Sequence, residues 1–338
     1  MDSKSKNIKN ATVSEFLKNI LLGDITYLSK AITLIESSKK EDYKKASKLL
    51  EACLPYANNS VRIGITGVPG VGKSTFIEAF GIHLIKLQKR IAVLTIDPSS
   101  SINKGSILGD KTRMEKLTKE KNAFIRPSPT GDQLGGVAKR TKEAIVLCEA
   151  AGYDVILIET VGVGQSETIV SSMVDFFLLL KLAGAGDELQ GIKRGIMELT
   201  DAIIINKADN KNIKEAELAR SEFESALHLY PLKDNAWRPK VITCSALKNI
   251  GIDEAWHIIS DFMKMTKANG SFDENRTVQN KNWLLKTIDQ QLKDNFYSNR
   301  EVRTNLNRIS QSVENNKISP FKAANELINI YFKKKEEN

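Results

Sequence analysis

The sequence predicts an α/β protein: a mostly parallel sheet covered by helices on both faces, preceded by N-terminal helices and followed by a C-terminal helical arm. Three observations carry this. From residue 61 onward short β-rich runs (61–66, 91–96, 155–159, 176–181, 202–206 and 241–244) alternate with helical ones, the pattern of strands joined by crossover helices. The runs are almost continuously apolar, as strands buried on both faces must be. Outside about residues 61–268 the β-rich runs stop and only helical spacing remains.

Each part is justified in turn. Residues 11–55 space Phe16, Ile20 and Leu21, then Leu28, Ile32 and Ile35, then Ala46, Leu49, Leu50 and Cys53 at helical intervals, with breaks expected at Gly23 and at 39–42. About three short helices follow from this, an extension over residues 1–60. Residues 61–268 form the sheet-bearing domain. Helical spacing returns at 283–296, 302–313 and 320–332, giving an arm over 269–338 that is too small to bury much core alone and therefore needs a partner surface.

Composition narrows the function classes. With 41% hydrophobic and 27% charged residues in 338, the chain has the make-up of an ordinary folded protein rather than a disordered or disulfide-stapled one. Its net charge of +9 is spread evenly, +3 in each of residues 1–60, 61–270 and 271–338, which disfavours a nucleic-acid patch. No apolar run approaches the ~18 residues of a membrane helix, and the polar first ten residues do not read as a secretory signal, so a cytoplasmic location is expected. Cys53, Cys148 and Cys244 are widely spaced and read as structural thiols.

Gly67-Val68-Pro69-Gly70-Val71-Gly72-Lys73-Ser74 matches G-x-x-x-x-G-K-[ST] between a strand and a helical stretch bearing Phe76, Phe80, Leu84 and Ile85. In that context the loop amides and the helix N-terminus cradle phosphates, with Thr75 next in line. Lys73 reaches the terminal phosphates and the Ser74 hydroxyl ligates Mg²⁺. The apolar run 155–159 ends in Glu159, placed as the acid that acts on Mg²⁺ directly or through water, and Gly162 just beyond it would offer its N–H to the γ-phosphate as a nucleotide-sensing switch. Asp97 ends another strand on the same sheet edge, where open α/β sheets bind ligands. From the residues alone, Asp110 on a Gly-bearing loop is as readily a helix cap as a functional acid.

Asn206-Lys207-Ala208-Asp209 and Thr243-Cys244-Ser245-Ala246-Leu247 decide the base. The Asp209 carboxylate can accept from the ring N–H and the exocyclic amine of guanine, whereas adenine would leave it unpaired. Lys207 can lay its stem over the base, Asn206 can tie the two loops together, and the Ala246 amide can donate to the guanine oxygen. The position after the switch glycine is Val163, and the nearest Gln is Gln165. Small regulatory GTPases place a water-orienting Gln directly after that glycine, so hydrolysis is expected to be slow alone, with the site completed by a partner, a dimer mate or a rearranged loop.

These motifs, with 96–100 (I-D-P-S-S), 105–114, 126–129 (R-P-S-P), 134–138 (L-G-G-V-A), 159–167 and 186–193 (G-D-E-L-Q-G-I-K), resemble the GTPase chaperones of methylmalonyl-CoA mutase, a family also labelled arginine/ornithine transport-system kinases. The resemblance implies a P-loop GTPase that works as a homodimer through its C-terminal arm. It also implies a role in gating adenosylcobalamin delivery to an acyl-CoA mutase and in protecting or reactivating that enzyme, the cobalamin being held by the partner. Carried over by position, it makes Lys73, Asp97, Asp110 and Glu159 catalytic, the last three with Ser74 forming the Mg²⁺ site. Gly186, Asp187, Glu188, Gln190 and Lys193 become an additional switch that relays nucleotide state to the mutase. The competing readings are a binding module that exchanges nucleotide but scarcely hydrolyses it, a P-loop kinase of a transport system, disfavoured by the guanine-reading Asp209, and a nickel-insertion GTPase. The latter is disfavoured because His83, His228 and His257 are isolated.

Overall fold

The computed structural model describes residues 11–37, 39–97, 114–129, 138–160, 166–184 and 194–333. They divide into two compact units, residues 1–275 and 276–338.

Three helices open the first unit: α1 (Val13–Leu21), α2 (Ile25–Glu36) and α3 (Lys40–Cys53), the last followed by a single 3₁₀ turn (Leu54–Tyr56). Local chemistry sets their ends. Thr12 and Glu15 form a reciprocal capping box on α1, and the Asp24 carboxylate caps α2 by accepting from the Thr26 and Tyr27 amides at 2.8 and 3.1 Å. The break expected at 39–42 is shorter than the composition suggested: α3 already runs from Lys40, with Glu41 and Asp42 in its first turn, where the helix dipole favours acids.

The sheet has seven parallel strands in the order β3-β2-β4-β1-β5-β6-β7. They are β1 (Val61–Gly67), β2 (Ile91–Asp97), β3 (Ala123–Pro129), β4 (Val155–Thr160), β5 (Phe176–Leu182), β6 (Ala202–Asn206) and β7 (Lys240–Thr243). Six match the runs legible in the sequence; β3 is additional. Its segment Ala-Phe-Ile-Arg-Pro-Ser-Pro carries Pro127 and Pro129, which cannot donate to a ladder and argue against a central strand. Among the described strands β3 pairs only with β2 and so lies at an edge, where such residues are tolerated.

The crossover helices include α4 (Lys73–Lys86), α5 (Glu115–Thr118), α6 (Ala138–Ala150), α7 (Ser166–Ser171), α8 (Arg194–Leu199), α9 (Ile213–His228) and α10 (Ile252–Ala268). Phe76, Phe80 and Leu84 of α4, with Ile252, Ile259 and Phe262 of α10, join Ile63, Ile65, Leu157 and Phe176 of the strands in one buried cluster. Phe223 and Leu227 of α9 pack with Leu179, Ile203 and Ile205 in another. Leu117 of α5 is wholly buried in a notch of α4: a Cβ built on Gly81 would lie 2.8 Å from its Cδ2, so no larger residue fits there unchanged.

α6 packs against α2 and α3, making the N-terminal helices part of this unit's core. Polar clasps reinforce the fit. Arg126 of β3 pairs with Glu36 and donates to Thr33, both on α2. The buried Glu149 carboxylate of α6 accepts from Arg62 Nε at 2.9 Å, Ser60 Oγ at 2.6 Å and the Asn58 amide at 2.9 Å. Burial alone would raise this carboxyl, but the Arg62 guanidinium and its fellow donors hold it below the usual carboxylate range. Cys53, Cys148 and Cys244 are all buried, and desolvation pushes the Cys53 thiol up to about 11.

α11 (Ser271–Ser298) runs across the division between the units. It starts twelve residues earlier than the spacing at 283–296 suggested, because its first turns are mostly polar. In the second unit α12 (Arg300–Glu314) and α13 (Pro320–Lys333) pack through Val302, Ile309, Ala323 and Leu327. Leu284, Leu285, Ile288 and Leu292 of α11 and Phe321 and Phe332 of α13 remain exposed.

Candidate nucleotide site

Parallel strands bring their carboxyl ends to one edge, and the chain diverges there: β1 leads to β2 on one side, while β4 leads to β5 on the other. The phosphate loop leaves β1 at this switch point. Its first residue, Gly67, has φ 151°, and a Cβ there would fall 2.5 Å from the Leu180 carbonyl oxygen of neighbouring β5, so only glycine can turn the chain at this place. Gly70 and Gly72 have φ of 82° and 93°, and α4 begins at Lys73, directly after the loop, so that its N-terminus lies at the loop's end. Lys73 Nζ donates to the Gly67 and Val68 carbonyls at 2.7 and 3.3 Å, which folds the ammonium back across the loop. Val68 and Pro69 are exposed at its tip, Val71 is buried, and Thr75 is exposed on the first turn of α4.

Ser74 Oγ donates to Glu159 Oε1 at 3.2 Å, so the structure brings these two expected metal-side oxygens together. Glu159 is buried at the end of β4, beside β1, with Ile65 opposite it in register. One residue further on, the Thr160 hydroxyl donates to Thr66 Oγ1 at 2.8 Å, both side chains being buried. The backbone of Asp97 ends β2 on the same edge. Its side chain, and Asp110, Gly162, Val163, Gln165, Gly186, Asp187, Glu188, Gln190 and Lys193, lie outside the described residues.

The donor set fits Mg²⁺. A hydroxyl and a carboxylate oxygen stand side by side at the start of the helix that follows the phosphate loop. Mg²⁺ is held by one or two protein oxygens together with substrate phosphates and water rather than by a protein cage. Among the described residues no three His, Cys, Asp or Glu side chains form such a cage.

The two expected base-reading segments meet beside this loop. Asn206, buried at the end of β6, donates through Nδ2 to the Val71 carbonyl at 2.8 Å and accepts the Ala246 amide on Oδ1 at 3.2 Å. One side chain therefore joins the phosphate loop to both base-reading segments. A Cβ on Gly72 would lie 2.8 Å from that same Nδ2, which is why the loop can come so close. Lys207 sits at φ 61° and extends its ammonium to the Gly70 carbonyl, 2.8 Å away, so its stem spans the interval between the two loops. The fully buried Ser245 donates to Asp209 Oδ2, and Asn210 donates to Oδ1 at 3.2 Å. Leu247 is exposed next to Ala246.

Three features here were not read from the sequence. The Thr66–Thr160 pair is unmarked because threonines in β-runs are ordinary. The donation of Lys248 Nζ to Asn210 Oδ1 at 2.6 Å links residues 38 apart with no motif between them. Ser60, Arg62 and Glu149 pair at the opposite end of the sheet through tertiary packing alone.

Comparison with known proteins identifies the chain's family. Residues 28–301 match the family model described as methylmalonyl-CoA mutase-associated GTPase MeaB. The chain is 46% identical over 313 residues to the GTPase ArgK of Escherichia coli, covering 93% of this chain and 95% of that one. It is 42% identical over 329 residues to the mouse (Mus musculus) protein named methylmalonic aciduria type A homolog, mitochondrial, covering 94% and 79% respectively. A solved structure described as LAO/AO transport system kinase superposes with a TM-score of 0.74 at 39% identity, covering 94% of this chain and 96% of that one. Among the described residues no helix is long and apolar enough to cross a membrane. With a family model spanning residues 28–301 and relatives 42–46% identical over more than nine-tenths of its length, the chain belongs to the methylmalonyl-CoA mutase-associated GTPase family.

Proposed function

We propose that this GTPase is a chaperone of an adenosylcobalamin-dependent acyl-CoA mutase of the methylmalonyl-CoA mutase type, gating cofactor loading and protecting or reactivating its client. The single observation that carries the reading is the family match over residues 28–301, and the mouse relative's name points the same way. The chain acts as a homodimer through residues 269–338. The exposed Leu284, Leu285, Ile288 and Leu292 of α11 form an apolar stripe in keeping with that role. Extension 1–60, G domain 61–268 and arm 269–338 are its functional parts, and the cytoplasm is its compartment.

In the hydrolytic step the loop amides of residues 67–75 and the N-terminus of α4 hold the phosphates, and Lys73 exchanges its loop carbonyls for phosphate oxygens. Ser74, Asp97, Asp110 and Glu159 are the residues that would hold Mg²⁺, which supplies charge neutralisation at the β- and γ-phosphates when bound. Asp97, Asp110 and Glu159 also surround the attacking water, while Gly162 reports the γ-phosphate. Asp209 accepts from guanine, held in place by Ser245 and Asn210, with Lys207 over the base and the Ala246 amide on its oxygen. Gly186, Asp187, Glu188, Gln190 and Lys193 carry nucleotide state to the client. Because Val163 stands where a water-orienting Gln is usual, turnover is slow until the client completes the site.

The test is GTP hydrolysis by the purified protein, with ATP as control, alone and with such a mutase. Slow GTP-specific turnover accelerated by the mutase is expected. Absence of both acceleration and a complex would refute the chaperone reading, and phosphate transfer from ATP to a protein or an amino acid would replace it with a kinase.

A further inference from the structure

The buried strand ends hold a polar contact that the nucleotide chemistry described above leaves unused. β1 and β4 are neighbours in register, Ile65 opposite Glu159, and nearly all their buried positions are apolar until each strand reaches its carboxyl end. There Thr66 and Thr160 face one another. Both are essentially inaccessible to water, 1% and 0% exposed, and Thr160 Oγ1 donates to Thr66 Oγ1 at 2.8 Å, with the Ile65 carbonyl as a more distant second acceptor at 3.5 Å. A valine pair would fill the same volume without any need for partners, so packing alone does not call for hydroxyls here.

The neighbours of the pair give it a task. Thr66 immediately precedes Gly67, whose carbonyl receives Lys73 and whose Cα is wedged against Leu180. Thr160 immediately follows Glu159, whose carboxylate receives Ser74 at 3.2 Å. The hydroxyl contact therefore ties the first residue of the phosphate loop to the acid that faces it. Mg²⁺ accepts only near-ideal octahedral positions at roughly 2.0–2.1 Å from its oxygens, so a few tenths of an ångström of play between these strand ends is enough to degrade the site.

We propose that the Thr66–Thr160 hydroxyl pair is a positioning clasp that holds Glu159 in register with Ser74 for Mg²⁺, separate from any role in folding. The proposal rests on the reading of Glu159 as a metal-side acid. Thr66 and Thr160 touch neither substrate nor metal; they act through the backbone of the residues beside them.

The experiment compares Thr66→Val, Thr160→Val, the double Val variant, Thr160→Ser and Glu159→Gln. The readout independent of turnover is the Mg²⁺ concentration that halves the release rate of a fluorescent guanosine diphosphate, and GTP hydrolysis and melting temperature are followed alongside. The net loss of one neutral hydrogen bond, with no partner left orphaned, changes an equilibrium constant by up to about tenfold. The valine variants should accordingly need about three- to tenfold more Mg²⁺, with nucleotide affinity in chelator unchanged and Thr160→Ser close to the parent. If a single valine variant fails to fold because it orphans the other hydroxyl, the double variant leaves none orphaned and carries the test. An unchanged Mg²⁺ requirement in the double variant, with Glu159→Gln shifted, overturns the clasp and leaves the acid's role standing. An unchanged requirement in Glu159→Gln overturns that role and the clasp with it.

Discussion

Replacing Asn206 with alanine is the sharpest probe of how the site is assembled. The side chain is 2% exposed and makes two neutral hydrogen bonds, one to the Val71 carbonyl and one from the Ala246 amide. Each is worth ~1 kcal/mol net, and a buried polar group left without a partner costs a further ~1–3 kcal/mol. The total is ~3–5 kcal/mol. Part of it falls on the unliganded fold, where the same bonds exist, and lowers the melting temperature by a few degrees. The share that reaches binding is about 2 kcal/mol, or roughly thirtyfold in affinity at 1.4 kcal/mol per tenfold. The assay is equilibrium titration with a fluorescent guanosine diphosphate, repeated with inorganic pyrophosphate as competitor. Because Asn206 bridges the two halves of the site, affinity for the whole nucleotide should fall further than affinity for pyrophosphate. A variant that binds the nucleotide within threefold of the parent would refute the bridging argument.

Three other substitutions test separate parts of the structure. Asp209→Asn should weaken GTP binding by about two orders of magnitude and favour xanthosine triphosphate, whose C2 carbonyl accepts from an amide where guanine's amine donates; equal discrimination in parent and variant would exclude Asp209 as the base reader. Gly67→Ala places a Cβ 2.5 Å from the Leu180 carbonyl oxygen, so nucleotide binding and stability should fall together, by ~2 kcal/mol or more in urea unfolding, and a parent-like variant would contradict the close approach. Glu149→Gln removes the buried partner of Arg62, whose side chain is only 9% exposed, and should cost about 3 kcal/mol at pH 7. The folded-state carboxyl is held below its unfolded value of ~4.3. The ion pair's contribution is therefore complete above the unfolded value and is lost as pH falls through the lower folded one. The stability gap between parent and variant should close below about pH 4, and a gap independent of pH would rule out the ionised pair.

Much of this architecture can be read from the chain because its central rules are local. Buried parallel strands are short apolar runs, and the phosphate loop announces itself through glycine spacing, so six of the seven strands and the helix beginning at Lys73 are legible. β3 is hidden by Pro127 and Pro129, since the residues that make an edge strand tolerable also make it look unlike a strand. Asn206 as the tie between loops follows from motif chemistry. The Ser74–Glu159 contact follows from β1 and β4 ending on one edge, where β1 runs through the phosphate loop into the first turn of α4. Arg126–Glu36 and Glu149–Arg62 join residues about 90 apart in sequence, and no local pattern encodes such a meeting. Thr66 and Thr160 are equally silent, because a β-branched residue in a strand is expected whatever its hydroxyl does.

The notch at Gly81 gives α4 a second use. The helix carries Lys73 and Ser74 at its first turn and, two turns on, the hollow that seats Leu117; between them Glu78 accepts the Lys116 amide at 2.7 Å. The connection from β2 to β3 is thus pinned, where it meets β3, to the same rod that carries Lys73 and Ser74 at its first turn. The short helix α5 therefore has two supports, α4 on one side and β3 on the other, so a substitution at Gly81 would be felt at the margin of the sheet as well as in the helix that bears it.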